Sequence, residues 1–456
     1  MKNDKNFAVG SVSKHILKIA GPMIVAQLIN VLYNVVDRIY IGRISGFSTL
    51  AMGGVGLCLP IISIIIAFAN LFGMGGSPLC SIARGRGDNE QAEEIMGNSF
   101  LMLIIFSVII MIIGYIFKED ILWLFGASAD TFKYANDYIS IYLAGTLFVL
   151  LGLGMNSFIN SQGFAKVGMM TVLLGAILNI VLDPIFIFSF NMGVKGAALA
   201  TVISQMASAL WTIHFLTSSN TILKLRKKRL RLKRNYIIKI ISLGLAGFMV
   251  AITNSIVSIV CNSTLSLYGG DMYIAIMTII NSIREVASLP GQNIANASQP
   301  VLGFNYGAKC YDRVLSGIKF TTISSFVAMF LVWMLIILFP EFWIHIFSHD
   351  LYIIENGVRA IRLYFFVFFM MAFQMSGQAT AIGLGKSKQA IFFSIFRKVL
   401  IVAPLTIILP KYIGIDGVFI AEAISNFIGG MACYITMILT IGKELKNTVS
   451  RVIHER

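Results

Sequence analysis

The chain repeats itself at a spacing of 220 residues, and this internal repeat limits the possible folds more than any other feature of the sequence. The matching pairs at this spacing are Gly87 and Gly307, Gly97 and Gly317, Phe100 and Phe320, Phe106 and Phe326, Trp123 and Trp343, Phe148 and Phe368, Met155 and Met375, Gly163 and Gly383, Lys166 and Lys386, and Pro184 and Pro404. Beyond Pro184 the spacing becomes 221, as for Gly193 and Gly414 or Ser204 and Ser425. The chain therefore consists of two homologous halves.

Each half is hydrophobic enough to lie in a membrane. Hydrophobic residues make up 57% of the chain and charged residues only 12%, against roughly 25% charged residues in soluble domains. Apolar runs of about 20 residues, the length that crosses a bilayer as a helix, recur near 16–40, 50–74, 94–117, 133–158, 166–190, 195–217, 237–266, 273–302, 314–339, 354–379, 389–410 and 415–441. Because strands of a membrane barrel would be shorter and alternating, we expect an all-α integral membrane protein.

The predicted fold has twelve transmembrane helices in two six-helix lobes. Six spans per half is an even number, so both halves insert with the same orientation and the repeat is parallel. We place the amino-terminal lobe at 1–218, a basic linker at 219–236, the carboxy-terminal lobe at 237–442 and a tail at 443–456. Repeats of this kind are common in transporters, whose substrate sites lie between repeated elements.

The net charge of +15 is distributed asymmetrically. The densest basic run is Lys224, Arg226, Lys227, Lys228, Arg229, Arg231, Lys233 and Arg234, between the sixth and seventh spans. The loops on that side carry most of the remaining lysines and arginines, so the positive-inside rule places both termini in the cytoplasm. We therefore expect the run to orient the chain and contact anionic lipid headgroups, rather than bind nucleic acid.

Two acids lie within predicted spans of the first half. Asp37 ends a helical stripe that contains Gln27, Asn30 and Asn34, and Asp183 ends a stripe with Asn179. The sixth span adds a third polar stripe, which includes Thr201, Gln205, Ser208 and Thr212. Ionisable side chains in spans are costly and face the protein interior, so three such stripes predict one polar pocket.

The chemistry of this pocket suits a small cation. Pro184 follows Asp183 directly and frees backbone carbonyls near the acid, and oxygen ligands of this kind suit a proton or Na⁺. The alternative is that Asp37 and Asp183 are structural acids that hold helices together. For a bound compound, adaptable apolar side chains are expected beside the polar stripes, and Phe148, Met155, Phe158 and Met206 are the candidates.

The second half does not copy this chemistry, because Ala403 stands at the repeat position of Asp183. Its spans carry Arg284, Glu285, Arg359, Arg362, Arg397, Lys398 and Glu422. Since bases outnumber acids here, we interpret Glu285 and Glu422 as ion-pair partners of these bases, with a direct role in transport as the alternative. Ion coupling is therefore expected in the first half.

Several other functions have no support in the sequence. The five cysteines show no paired spacing, so no disulfide framework, metal site or cofactor is predicted. No phosphate-binding loop, nucleophile elbow or zinc-protease motif is found. We expect an ion gradient rather than ATP to supply the energy, and an integral-membrane enzyme is the less favoured reading.

The whole chain resembles the multidrug and toxic compound extrusion (MATE) transporters. The motifs that carry the resemblance are Ala20-Gly21-Pro22, the segment 33–42 with Asp37, Ala83-Arg84-Gly85-Arg86-Gly87-Asp88, the Asn179 to Asp183-Pro184 segment, Gly193-Val-Lys-Gly196, and Asn305-Tyr306-Gly307-Ala308. Within the family, the chain is similar to the bacterial branch of NorM-, DinF- and MepA-like pumps. The resemblance implies a multi-pass protein of the bacterial cytoplasmic membrane.

The resemblance also implies a function and a set of site residues. Family members export organic cations in exchange for H⁺ or Na⁺ by alternating access. The residues that match the family's amino-terminal cation network are Asp37, Tyr138, Asn179, Asp183 and Thr201. H⁺ is the favoured coupling ion, and Na⁺ at Asp183, Asn179 and Thr201 is the alternative. Export of a lipid-linked or amphiphilic metabolite is a second alternative, and a monomer is expected.

Overall fold

The computed structural model describes residues 7–44 and 48–454, and these residues form helices, turns and no strand. Eleven helices are long and apolar enough to cross a bilayer, and one bent pair of helices makes a twelfth span. The predicted helical fold with twelve spans is therefore confirmed. The extreme ends of the predicted cytoplasmic termini, residues 1–6 and 455–456, lie outside the described residues.

The first six spans are labelled in chain order. They are α1 (Val12–Ile41), α2 (Ser48–Gly85), α3 (Asn89–Leu124), the bent span α4 (Ala129–Ala144 and Thr146–Ser161), α5 (Ala165–Ser189) and α6 (Val194–Thr217). The two parts of α4 meet at Gly145 with a bend of 57°.

The other six spans follow a linker. They are α7 (Arg234–Gly270), α8 (Met272–Gly307), α9 (Tyr311–Leu338), α10 (Leu351–Gly383), α11 (Ser387–Ile413) and α12 (Asp416–Ser450). A short helix, Pro340–His345, lies between α9 and α10. The backbone at Gly270 has a φ of 69°, which glycine adopts easily and which separates α7 from α8.

The spans form two compact units, Gly21–Gly244 and Leu245–Arg456, the second of which also contains Phe7–Ala20. In the second unit, the backbone carbonyl of Phe7 accepts hydrogen bonds from Asn305 Nδ2 at 3.1 Å and from Arg313 Nη2 at 2.8 Å. These bonds fix Phe7 to the end of α8 and the beginning of α9. The lobe and linker boundaries drawn from the sequence stay a prediction.

Both halves interrupt a helix at the same repeated proline. In α5 the regular helix ends at Pro184, and a π-helical turn follows at Ile185–Ser189. In α11 a π-helical segment, Phe396–Val402, comes directly before the helix that contains Pro404. Proline lacks the backbone N–H that a regular helix needs, and π-turns often occur at functional positions. The repeat therefore places one irregular span in each unit.

The turn before the last span of each half is also repeated. Gly193 precedes α6 with a φ of 53°, and its repeat partner Gly414 precedes α12 with a φ of 65°. A Cβ atom disfavours this part of conformational space. The matched glycines found in the sequence therefore correspond to matched turns.

The basic linker is docked on the first unit. The side-chain oxygen of Gln162 accepts hydrogen bonds from the backbone N–H groups of Ile222 and Leu223, at 3.0 and 2.7 Å. Further along, Lys233 Nζ lies 2.6 Å from Glu94 Oε1, and Arg229 pairs with Glu90. The linker is thus held in place by these hydrogen bonds and ion pairs, and acids at the start of α3 neutralise part of its positive charge.

A buried ion cluster joins α11 to α12 in the second unit. Glu422 Oε1 lies 3.1 Å from Arg397 Nη1 and 2.9 Å from Lys398 Nζ, and the three side chains are almost completely buried. Arg397 Nη1 also donates to Asn426 Oδ1 at 2.5 Å. The ion pair predicted for Glu422 is confirmed. For Glu285, the structure shows no ion pair within the described part of the chain, and its side chain is exposed.

The cluster gives a prediction for stability. Glu422→Gln leaves two buried cations without their counter-charge, and breaking a buried pair in this way costs about 3–5 kcal/mol. We expect a marked fall in the yield of folded protein and in its thermal unfolding temperature. Glu285→Gln is the matched control, since it removes the same charge from an exposed position. Equal yields of the two variants, with transport lost only in Glu422→Gln, would contradict a structural role.

Candidate functional site

Asp183 lies at the irregular point of α5 and is completely buried, with 0% of its surface exposed. It is the last residue before Pro184 and the π-turn. One helical turn earlier, Asn179 Nδ2 donates to Asp183 Oδ1 at 3.3 Å. The stripe predicted on this helix face is therefore a local contact between an amide and a carboxyl group.

The sixth span supplies the next member of the site. The same Nδ2 of Asn179 lies 3.4 Å from Thr201 Oγ1. The hydroxyl group of Thr201 in turn donates to the backbone carbonyl of Ala197, at 3.0 Å. From α4, the buried hydroxyl group of Tyr138 approaches Thr201. Three spans of the first unit thus converge on one polar cluster.

Asp37 completes this cluster from α1. Its carboxyl group faces that of Asp183 closely enough for the two groups to interact directly. One oxygen of each, Asp37 Oδ1 and Asp183 Oδ2, is buried and has no hydrogen-bond partner among the described residues. The structure therefore brings together all five residues predicted for ion coupling. Their role in coupling stays a prediction.

This arrangement limits the chemistry of the cluster. Two carboxylates in contact repel each other unless a proton or a cation lies between them. Buried carboxyl oxygens without donors are costly as well, and no lysine or arginine forms an ion pair with either acid among the residues that the structure describes. The chemistry of the cluster therefore suits one shared proton or one small cation.

The polar face of α1 lies before Asp37 in the chain. Gln27 and Asn30 are half-buried, and Asn34 is exposed. Asn34 Nδ2 donates to the backbone carbonyl of Asn30 at 2.8 Å. The structure places these three side chains on the same helix as Asp37, and their contact with a substrate stays a prediction.

The apolar candidates fall into two groups. Met155 and Phe158 are completely buried in α4, where Phe158 packs so tightly against Gly76 of α2 that an added Cβ would clash. Phe148 and the α6 residues Gln205 and Met206 are half-buried. Only the second group reaches a surface in this structure, so contact of Met155 or Phe158 with a compound requires repacking.

The cluster also contains two tyrosines, Tyr33 and Tyr142, that were not predicted from the sequence. Tyr33 of α1 lies close enough to Asp37 and Asp183 to interact with both carboxyl groups. Tyr142 stacks on Tyr138, with ring centroids 6.1 Å apart. Tyr33 is four residues from Asp37, and Tyr142 is four residues from Tyr138. Residues at this spacing lie on the same face of a helix, so the spacing could have predicted both tyrosines.

The family follows from comparison with known proteins. The sequence model of the MatE family matches the chain twice, at residues 22–185 and at 246–408. The two matches cover most of the chain and correspond to its two repeats. The predicted parallel repeat is therefore confirmed.

Relatives of known name and structure agree with this match. Multidrug export protein MepA of Staphylococcus haemolyticus is 26% identical over 435 residues, which is 94% of each chain. A crystal structure of MATE in complex with MaL6 has a TM-score of 0.91 and 25% identity, covering 97% of this chain and 99% of that one. An outward-facing multidrug resistance MATE family transporter has a TM-score of 0.90 and 26% identity, with 96% and 97% covered. The chain belongs to the MatE family and is a multi-pass membrane transporter, not an enzyme.

Proposed function

We propose that the chain is a multidrug efflux antiporter that exports lipophilic organic cations in exchange for protons. The carboxyl groups of Asp37 and Asp183 are the place where proton and exported cation alternate. The observation that carries this proposal is the close approach of these two acids, each with one buried oxygen that lacks a donor among the described residues. The family, and the multidrug export proteins MepA among the relatives, support multidrug export.

The proposed cycle follows from charge balance. Without a shared proton the pair carries two negative charges that no basic side chain offsets among the described residues, and it attracts a lipophilic cation from the cytoplasm. A proton from outside then neutralises part of this charge, which weakens the attraction and releases the compound. One charge that crosses the membrane yields about 2.3 kcal/mol per 100 mV, so a single proton can drive a substantial gradient. Alternating access requires that only the occupied transporter changes state.

The orientation of Asn179 favours a proton over Na⁺. A sodium ion binds oxygen ligands, whereas Asn179 directs its N–H donors toward both Asp183 and Thr201. A sodium site formed by these three residues would need the amide to turn and present its oxygen. A proton shared between carboxyl groups needs no such change.

The remaining groups have subsidiary roles in this proposal. Gln27, Asn30 and Asn34 form a polar path along α1 to the acids, and Gln205, Phe148 and Met206 form the adaptable wall that receives the compound. The basic linker and both termini lie in the cytoplasm of a bacterial cell. One chain, acting as a monomer, carries out the exchange.

Neutralising either acid tests the coupling site. Asp37→Asn and Asp183→Asn each remove one member of the pair, so efflux of ethidium from cells should fall to the level of cells without the transporter. Asp130→Asn, an exposed acid at the start of a helix, is the matched control and should export normally. Expression must be measured for all three variants. Normal efflux by both site variants at normal expression would reject the site.

Imposed gradients test the coupling ion. In proteoliposomes that contain the purified protein, a pH gradient with the acidic side inside should drive ethidium uptake many-fold above the level without a gradient. A sodium gradient of the same magnitude at constant pH should not. The matched control is protein-free liposomes under the same gradients. Uptake driven by the sodium gradient alone would show that Na⁺, and not H⁺, is the coupling ion. Uptake that depends on neither gradient would reject the antiport proposal.

A further inference from the structure

The second unit contains a cavity of about 320 Å³ that the proposed coupling site does not use. Its polar and charged walls come from α7, α8, α10, α11 and α12, and include Asn254, Asn281, Arg284, Tyr364, Lys398 and Glu422. Apolar walls come from Met277, Val402 and Val418. A volume near 300 Å³ is at the lower end of those that bind small molecules, and a wall of mixed apolar and polar groups is typical of such sites.

The charges around this cavity do not balance. Glu422 is the acid in its wall, and both of its oxygens are already engaged: Oε1 by Arg397 and Lys398, and Oε2 by Lys398 at 3.2 Å. Arg284 forms no ion pair in the described part of the chain, and its Nε is buried without a hydrogen-bond partner there. Three basic side chains, Arg284, Arg397 and Lys398, thus surround one acid. Glu285, next in the chain to Arg284, does not line the cavity.

An excess of positive charge inside a membrane protein is costly unless a counter-charge is present. A lipophilic cation would add to this excess and would be repelled. An anion would reduce it, and the planar guanidinium group of arginine binds carboxylate or phosphate through two parallel hydrogen bonds. The apolar side chains of the same wall can contact the hydrocarbon part of an amphiphile.

We propose that this cavity is a second binding site, specific for the carboxylate or phosphate group of an amphiphilic molecule. Arg284 binds the anionic group, Lys398 adds to the attraction, and Met277, Val402 and Val418 contact the apolar body. The residues of this site belong to Leu245–Arg456, whereas the coupling acids belong to Gly21–Gly244. The inference therefore stands even where the proposed coupling site fails its own test.

Binding of a matched pair of fluorescent probes tests the site. Dansylglycine carries a carboxylate, and dansylglycinamide is its neutral counterpart of nearly the same shape. The full chain in nanodiscs of phosphatidylcholine should bind the carboxylate at least 10-fold more tightly than the amide, after subtraction of the signal from empty nanodiscs. This comparison needs no variant, so a folding defect cannot obscure it. Equal affinity for the two probes would overturn the proposal.

Variants then assign the preference to Arg284. Arg284→Gln should lose most of the 10-fold preference and leave amide binding unchanged, while Arg284→Lys should keep part of it. Lys411→Gln is the matched control, because it removes one exposed positive charge of α11 that does not line the cavity. A full preference in Arg284→Gln would overturn the assignment.

Two competitors identify the natural source of the anion. Phosphatidylglycerol in the nanodiscs should displace dansylglycine when the site takes a lipid headgroup. Inorganic phosphate, added to phosphatidylcholine nanodiscs, should displace it when the anionic group alone is recognised. Displacement by either compound supports the site, provided that it is lost in Arg284→Gln. Displacement that persists in Arg284→Gln would contradict it.

Discussion

Two carboxyl groups that face each other inside a polar cluster, with no basic side chain paired to either among the described residues, are the constraint on which the first unit depends. Asp37 and Asp183 come from α1 and α5, and each has a buried oxygen without a donor among the described residues. Such a pair is tolerated only with a proton or a cation between the groups. The hydrogen bonds around the pair are weak. Asn179 Nδ2 lies 3.3 Å from Asp183 Oδ1 and 3.4 Å from Thr201 Oγ1, and both distances are longer than most hydrogen bonds of this type. Weak support of this kind is what the proposed exchange of proton and cation would require.

The two repeats use one backbone device for two kinds of chemistry. Each places an irregular, π-helical segment beside its repeated proline, Pro184 in α5 and Pro404 in α11. In the first repeat an acid, Asp183, lies directly before the proline, at the end of the regular helix. In the second, Ala403 occupies that position and the segment itself carries Arg397 and Lys398. This difference in charge is the basis for proposing a cation site in the first unit and an anion site in the second.

Much of the fold could be predicted from the sequence because hydrophobic length and repetition are properties of the chain itself. The twelve spans, the repeat and the partners of Glu422 follow from run lengths, matched glycines and an excess of bases. Helical periodicity also placed Asn179 and Asp183 on one face. Periodicity does not show how deeply a side chain is buried, however. Met155 and Phe158 have side chains suited to binding a compound, but the structure buries both of them completely. Tyr33, four residues before Asp37, shares the helix face of the polar stripe, but an aromatic side chain at that spacing is equally typical of apolar packing, and so it was missed. The docking of the linker on Gln162 depends on contacts 60 residues apart in the chain, between Gln162 and Ile222, and no local pattern encodes these.

Release of protons on substrate binding is the most direct test of the central claim, that proton and exported cation alternate at the carboxyl pair. Purified protein in weakly buffered detergent solution, near neutral pH, can be mixed with tetraphenylphosphonium while a pH dye records the proton concentration. The account predicts that up to one proton is released for each cation bound, and that Asp183→Asn releases none. The pH range is about 5 to 9, which is set by the dye and by the ordinary titration of protein groups. If the cation binds and no proton is released at any pH in this range, the account is contradicted.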